Sequence, residues 1–211
     1  HFRTHVKPES RGQSGRWMSE YCDAMIDHDK QVGKLLDLLD ELGIADNTIV
    51  IYSTDNGPHM NSWPDAATTP FRSEKDTNWE GAYRVPCLVR WPRVIAANTV
   101  CNEIVSHLDW LPTFVAAAGE PAIAEKLKKG HKVGNKTFKV HLDGYNLLPL
   151  LSGREKKSPR PGFIYFSDDG DLVGVRYDNF KLVFMEQRAT GTLRIWAEPF
   201  TLLRLPKIFN L

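Results

Sequence analysis

The stretch Asn47-Thr48-Ile49-Val50-Ile51-Tyr52-Ser53-Thr54-Asp55-Asn56-Gly57-Pro58 constrains the fold of this chain more than any other. From Thr48 to Thr54 it is a continuous, mostly β-branched run with no alternation of polar and apolar positions. Such a run predicts a strand buried on both faces, as in a parallel sheet. It stops abruptly at Asp55-Asn56-Gly57-Pro58. In open α/β sheets, ligands bind beyond the carboxyl ends of the strands, so Asp55 and Asn56 stand where a ligand would be met. Both offer oxygen donors, a carboxylate and an amide carbonyl, of the kind hard cations such as Ca²⁺ take. The same four residues are also good chemistry for a simple Asx turn. Residue types alone leave both readings open.

The surrounding pattern supplies the other elements. Ser19 is placed to cap a helix with Glu20 and Asp23 in its first turn and Gly43 as its stop. Along it Met25, His28, Val32, Leu35, Leu36, Leu39 and Leu42 recur at three- and four-residue steps and form one stripe. Residues 57–84 read as a long polar loop with three prolines and two tryptophans, Trp63 and Trp79; a loop of that length in a compact domain is usually functional. Residues 85–91 return as a strand, and a second helix follows Ser106 through Leu108, Leu111, Phe114 and Val115 to Gly119. Six lysines between Lys126 and Lys139 read as a solvated insertion. The last third changes period: residues 163–166, 172–177, 180–185 and 193–197 read as short antiparallel strands, with Asp178-Asn179 as a tight hairpin turn.

Two parallel strands with two helices cannot cover both faces of a sheet. The expectation is therefore an α/β fold that is partial in this chain, over residues 1–152, followed by a small antiparallel subdomain over residues 153–211. The missing βαβ units are expected before His1.

Composition narrows the function classes. Among 211 residues, 27 Lys and Arg stand against 26 Asp and Glu, for a net charge of +1. That balance makes no electrostatic case for nucleic acid or an anionic membrane, and no apolar run approaches the eighteen or so residues that span a bilayer. Cys22, Cys87 and Cys101 form neither a disulfide framework nor a C-x-x-C pair.

Lys75 lies in Ser73-Glu74-Lys75-Asp76-Thr77-Asn78-Trp79-Glu80-Gly81, His1 and His5 flank a polar turn, and His59 follows the Asp-Asn-Gly-Pro turn. Each alone reads as solvated. Together with the strand, the pattern resembles the sulfatase family, with an arylsulfatase-like character. The 47–58 stretch is similar to that family's late metal-site strand, and residues 21–33 with Leu42-Gly43 to the helix before it. Lys75, Trp79-Glu80-Gly81, Arg84-Val85-Pro86 and Arg90-Trp91-Pro92 resemble the signature that follows. Ser106-His107-Leu108-Asp109-Trp110-Leu111-Pro112-Thr113 resembles the next helix. Asp143-Gly144, residues 148–151, Gly153, Arg176 and Lys181-Leu182 resemble the tail.

The resemblance implies an alkaline-phosphatase-like sheet and a sulfuric ester hydrolase acting on small-molecule sulfate monoesters. It implies Asp55 and Asn56 as Ca²⁺ ligands, Lys75 as the cation holding the sulfate, and His1 as the catalytic histidine that contacts sulfate and protonates the leaving oxygen. His5 is the fallback for that role, and His59 is a further substrate-binding candidate. The family nucleophile is a formylglycine made from the Cys or Ser of a C/S-x-P-x-R motif, which does not occur in these 211 residues. It is expected upstream of His1, in a missing N-terminal part of the same protein, so this chain alone is expected to be inactive. Periplasmic or secreted localisation is the corresponding expectation. The alternatives are a phosphate or phosphonate monoester hydrolase of the same superfamily and an inactive sulfatase-like binding module.

Overall fold

The structure is a computed structural model that describes residues 6–15, 18, 20–59, 69–189 and 193–211. The chain clusters into two compact units: His1–Pro92 with Tyr165–Gly174 and Val183–Lys207, and Arg93–Ile164 with Val175–Leu182 and Ile208–Leu211.

The first unit opens on helix α1, Glu20–Glu41, with Glu20 and Asp23 in its first turn, where carboxylates suit the helix dipole. Ser19, the expected cap, lies outside the described residues, as does Trp63. At the far end Gly43 adopts φ 67°. Its amide donates to the Asp40 carbonyl at 3.0 Å, and the Ile44 amide donates to the Leu39 carbonyl at 3.1 Å. These crossed bonds close the helix in a left-handed turn that glycine adopts without strain. Of the apolar stripe, Val32, Leu36 and Leu39 are half-buried, and Met25, His28, Leu35 and Leu42 are exposed. Asp23 is the buried residue of the helix. It accepts from the Gly12 amide at 2.6 Å, the Ser14 amide at 3.0 Å and the Ser14 hydroxyl at 2.6 Å. One turn on, Asp27 accepts from the Lys7 amide at 2.8 Å and from the Ser10 hydroxyl. Two carboxylates spaced i, i+4 thus fasten residues 7–14 to α1.

Strand β1 is Val50–Ser53, the one-turn helix α2 is Glu80–Tyr83, and strand β2 is Cys87–Arg90. The strands pair antiparallel, Val50 opposite Arg90 and Ser53 opposite Cys87. This corrects the parallel arrangement expected above. With Ser53 beside Cys87, residues 54–86 leave and return at one edge of the pair, and no crossover is required. A β-branched run reports strand propensity, not direction. Burial is also lower than expected: β1 is half-buried throughout and β2 is mostly exposed.

The second unit holds α3 (Trp110–Ala117), α4 (Ile123–Lys129), the hairpin β3 (His131–Val133) and β4 (Lys136–Phe138), and α5 (Leu148–Leu151). Ser106 and Asp109 form a capping box before α3. Asp109, fully buried, also accepts from the Tyr145 amide at 2.8 Å and from the Arg160 guanidinium at 2.6–3.2 Å. The Thr113 hydroxyl donates to the Asp109 carbonyl at 2.6 Å and accepts from the Leu147 amide at 2.9 Å. The lysine-rich insertion is α4 with the small hairpin. There Lys126 pairs with Glu120, and Lys128 pairs with Glu125 at 3.0 Å.

Strands β5 (Gly162–Phe166), β6 (Leu172–Tyr177), β7 (Phe180–Glu186) and β8 (Thr201–Asn210) form one sheet in that order, and the one-turn helix α6 (Arg194–Ala197) precedes β8. Asp178 takes φ 50° in the β6–β7 turn. Residues 193–197 were expected as a strand and are instead this turn of helix. A five-residue, mostly apolar stretch does not distinguish the two, and the buried Gln187 side chain selects the helix: its Nε2 donates to the Ile195 carbonyl at 3.3 Å and the Glu198 carbonyl at 2.6 Å. Pro206 sits in β8, an edge strand, where a missing donor is tolerated. Among the described residues, no helix is long and apolar enough to cross a membrane.

Candidate active site

The turn after β1 and the loop before β2 are locked together by backbone alone. The Gly57 amide donates to the Ala82 carbonyl at 2.7 Å, the Gly81 amide to the Arg72 carbonyl at 2.7 Å, and the Lys75 amide to the Pro58 carbonyl at 2.9 Å. A Cβ at Gly57 would overlap the Gly81 carbonyl, and one at Gly81 would overlap the Ser73 carbonyl. Glycine is needed at both places for close approach. The last of these bonds sets the Lys75 backbone against the residue three positions after Asp55.

Side chains of this loop bond to the parts of β5, β6 and β7 that belong to the first unit. Asn78 is fully buried, and its Nδ2 donates to the Val173 carbonyl of β6 at 3.1 Å and the Met185 carbonyl of β7 at 2.6 Å. The Tyr165 hydroxyl donates to Glu80 Oε1 at 2.9 Å, and the Tyr83 hydroxyl to the Phe166 carbonyl at 3.1 Å. The two tyrosine rings meet edge to face, 4.7 Å apart. Trp79 is buried with the Arg72 guanidinium 3.5 Å over its ring. Sequence reasoning placed Asn78, Glu80 and Tyr83 in a polar loop and did not connect them to the sheet, because these sheet partners lie more than eighty residues away.

Asp55 is exposed and Asn56 half-buried. The Thr54 hydroxyl donates to Asp55 Oδ1 at 3.3 Å, and Asn56 Nδ2 donates to the Gly57 carbonyl at 2.9 Å. The second bond commits the amide nitrogen to the turn. Lys75 is half-buried, with its ammonium 4.9 Å from the centre of the Trp196 ring. His59 Nε2 lies 3.0 Å from Trp196 Nε1. Next to Lys75, Asp76 has a carboxylate oxygen that is buried without a hydrogen-bond partner among the described residues. Desolvation holds its carboxyl above the ordinary aspartate value, against the opposing pull of the Lys75 ammonium. His1 and His5 lie outside the described residues. The fold therefore brings Asp55, Asn56, His59 and Lys75 onto one turn-and-loop pair. It adds Trp196 from α6, a residue for which the sequence carried no signal beyond its type.

The Sulfatase family model matches residues 3–120 of this chain. The chain belongs to the sulfatase family. Human steryl-sulfatase is 32% identical over 163 residues, covering 74% of this chain and 25% of the relative. Human arylsulfatase A is 34% identical over 192 residues, covering 87% and 34%. Among solved structures, the PsFucS1 sulfatase from Pseudoalteromonas superposes with a TM-score of 0.74 at 27% identity, covering 97% of this chain and 38% of that one. The chain thus spans about a quarter to two-fifths of the length of these sulfatases. Its fold is the alkaline-phosphatase-like α/β fold of sulfatases in part, joined to a small antiparallel sheet.

Proposed function

We propose that this chain is the C-terminal portion of an arylsulfatase-type sulfuric ester hydrolase that cleaves small-molecule sulfate monoesters. The observation that carries the proposal is the backbone lock that sets the loop of Lys75 against the Asp55-Asn56 turn, in a chain of the sulfatase family. A sulfate ester carries negative charge on its non-bridging oxygens, and more develops on the bridging oxygen as the alcohol departs. Lys75, a compact cation with three donors, binds the former. Asp55 and Asn56 supply two hard oxygens, the donor type that suits Ca²⁺, and make part of a shell of roughly six to eight. When bound, Ca²⁺ adds positive charge for the sulfate oxygens. His1, with His5 as the alternative, has the chemistry to give a proton to the leaving oxygen, and His59 lines the same turn. The formylglycine nucleophile belongs to the N-terminal part of the protein, outside these residues. A periplasmic or secreted location goes with this reading, as does the expectation of no nucleic-acid or membrane partner, for which the net charge of +1 gives no electrostatic drive.

The test is kinetics on the full-length protein with an activated aryl sulfate. Lys75→Ala is expected to lower turnover roughly 10²–10³-fold, as for loss of one oxyanion-type donor. Lys75→Arg is expected to restore it incompletely, since a planar fork cannot occupy the same point. Asp55→Ala is expected to remove calcium binding, by calorimetry, together with activity. Near-normal turnover in Lys75→Ala would return that residue to a solvated loop. Unchanged calcium affinity in Asp55→Ala would leave Asp55-Asn56 as a simple Asx turn.

A further inference from the structure

We infer that Trp196 is a substrate-binding residue of this site, an anchored indole that stacks on the ring of a ring-bearing sulfate ester. The inference rests on the reading of Lys75 as the sulfate-holding cation. In α6, Ile195 points inward at 4% exposure and Trp196 points outward at 52%. The Gln187 side chain, bonded to the carbonyls on either side of Trp196, fixes that turn. Indole nitrogen only donates, so His59 Nε2 is the acceptor of the 3.0 Å bond, and the His59 ring stands edge-on to the indole at 84°, 5.6 Å between centres. The Lys75 ammonium lies over the same indole, within cation–π range.

Here the side chain is held from two directions while half of it stays open. In the sulfate ester of a ring alcohol, the ring lies within a few bonds of the sulfur. A sulfate held by Lys75 therefore carries that ring toward the indole. Aryl rings and the C–H faces of pyranoses both stack on such a surface.

The experiment compares Trp196→Leu and Trp196→Phe in the full-length protein, using 4-nitrophenyl sulfate, glucose 6-sulfate and inhibition by inorganic sulfate. In Trp196→Leu, KM is expected to rise about ten-fold for at least one ester, with kcat and sulfate inhibition within about three-fold. The ester that responds identifies aryl or pyranose as the ring recognised. Trp196→Phe keeps a ring and is expected to hold KM within about three-fold. It is also expected to lose the tryptophan fluorescence change that accompanies binding of the desulfated ring alcohol, a readout that stands even if the leucine variant does not fold. Unchanged KM for both esters overturns the inference. So does a parallel loss of KM and sulfate inhibition, which would show Trp196 acting only through Lys75, and so does a fluorescence change that persists in full in Trp196→Phe. Lys75→Ala separates the two readings. Normal turnover there removes the sulfate-holding role itself, whereas a loss there with unchanged KM in Trp196→Leu removes only the stacking role.

Discussion

Asp23 and Asp27 show what single residues achieve in this chain. Asp23 is held below the ordinary carboxylate value by the Ser14 hydroxyl first and the Gly12 and Ser14 amides next. Asp27 is held down by the Ser10 hydroxyl and then the Lys7 amide. A lowered folded-state pKa contributes stability that is fully present above the ordinary aspartate value of about 3.9 and is lost as pH falls through the lowered value. The Gly12 and Ser14 amides are therefore expected to stay protected from hydrogen exchange at and above pH ~4 and to lose protection below it. In Asp23→Asn they should exchange faster at neutral pH as well. Protection unchanged by acid and by the substitution would mean that these bonds do not hold residues 7–14. The acidic first turn of α1 was readable from sequence, but that Asp23 turns back to bind a preceding loop was not. An aspartate near a helix start serves the dipole equally well with or without such a partner.

Among the elements, the close approach of the β1 turn to the loop before β2 depends on two glycines. Their neighbours are backbone atoms, which cannot swing aside as a side-chain tip can. Gly57→Ala and Gly81→Ala are each expected to destabilise the full-length protein by about 1–3 kcal/mol, the usual cost of overpacking, and, on the proposed role of Lys75, to lower turnover further by displacing it. Chemical denaturation beside kinetics checks this, and wild-type values for both variants would show that the loop tolerates the shift. The Gly81 requirement lay within the resemblance to the family signature, but its physical reason became visible only with the Ser73 carbonyl beside it. Strand direction and the helical turn at 194–197 were misread for a related reason. Both are decided by partners far along the chain, the β2 register for one and Gln187 for the other, and local propensity is silent about distant partners.

For the whole molecule, the 211 residues contain no C/S-x-P-x-R motif, and no group of three or more His, Cys, Asp or Glu among the described residues is placed to hold a metal. Purified alone, the chain is expected to show no turnover of an activated aryl sulfate. Calcium-dependent turnover that is abolished by Lys75→Ala would overturn that expectation. By itself the sequence determined the family, a strand just before Asp55 and the C-terminal hairpin, because each is written in contiguous residues whose types and spacing carry the chemistry. Only the tertiary structure decided that β1 and β2 run antiparallel, that Asn78 ties the Lys75 loop to β6 and β7, and that Trp196 reaches Lys75 and His59 from α6. Those facts rest on contacts between residues more than thirty to a hundred positions apart, as in the Asn78 to Met185 bond. Such contacts form when distant backbone donors and acceptors, once buried, must find one another.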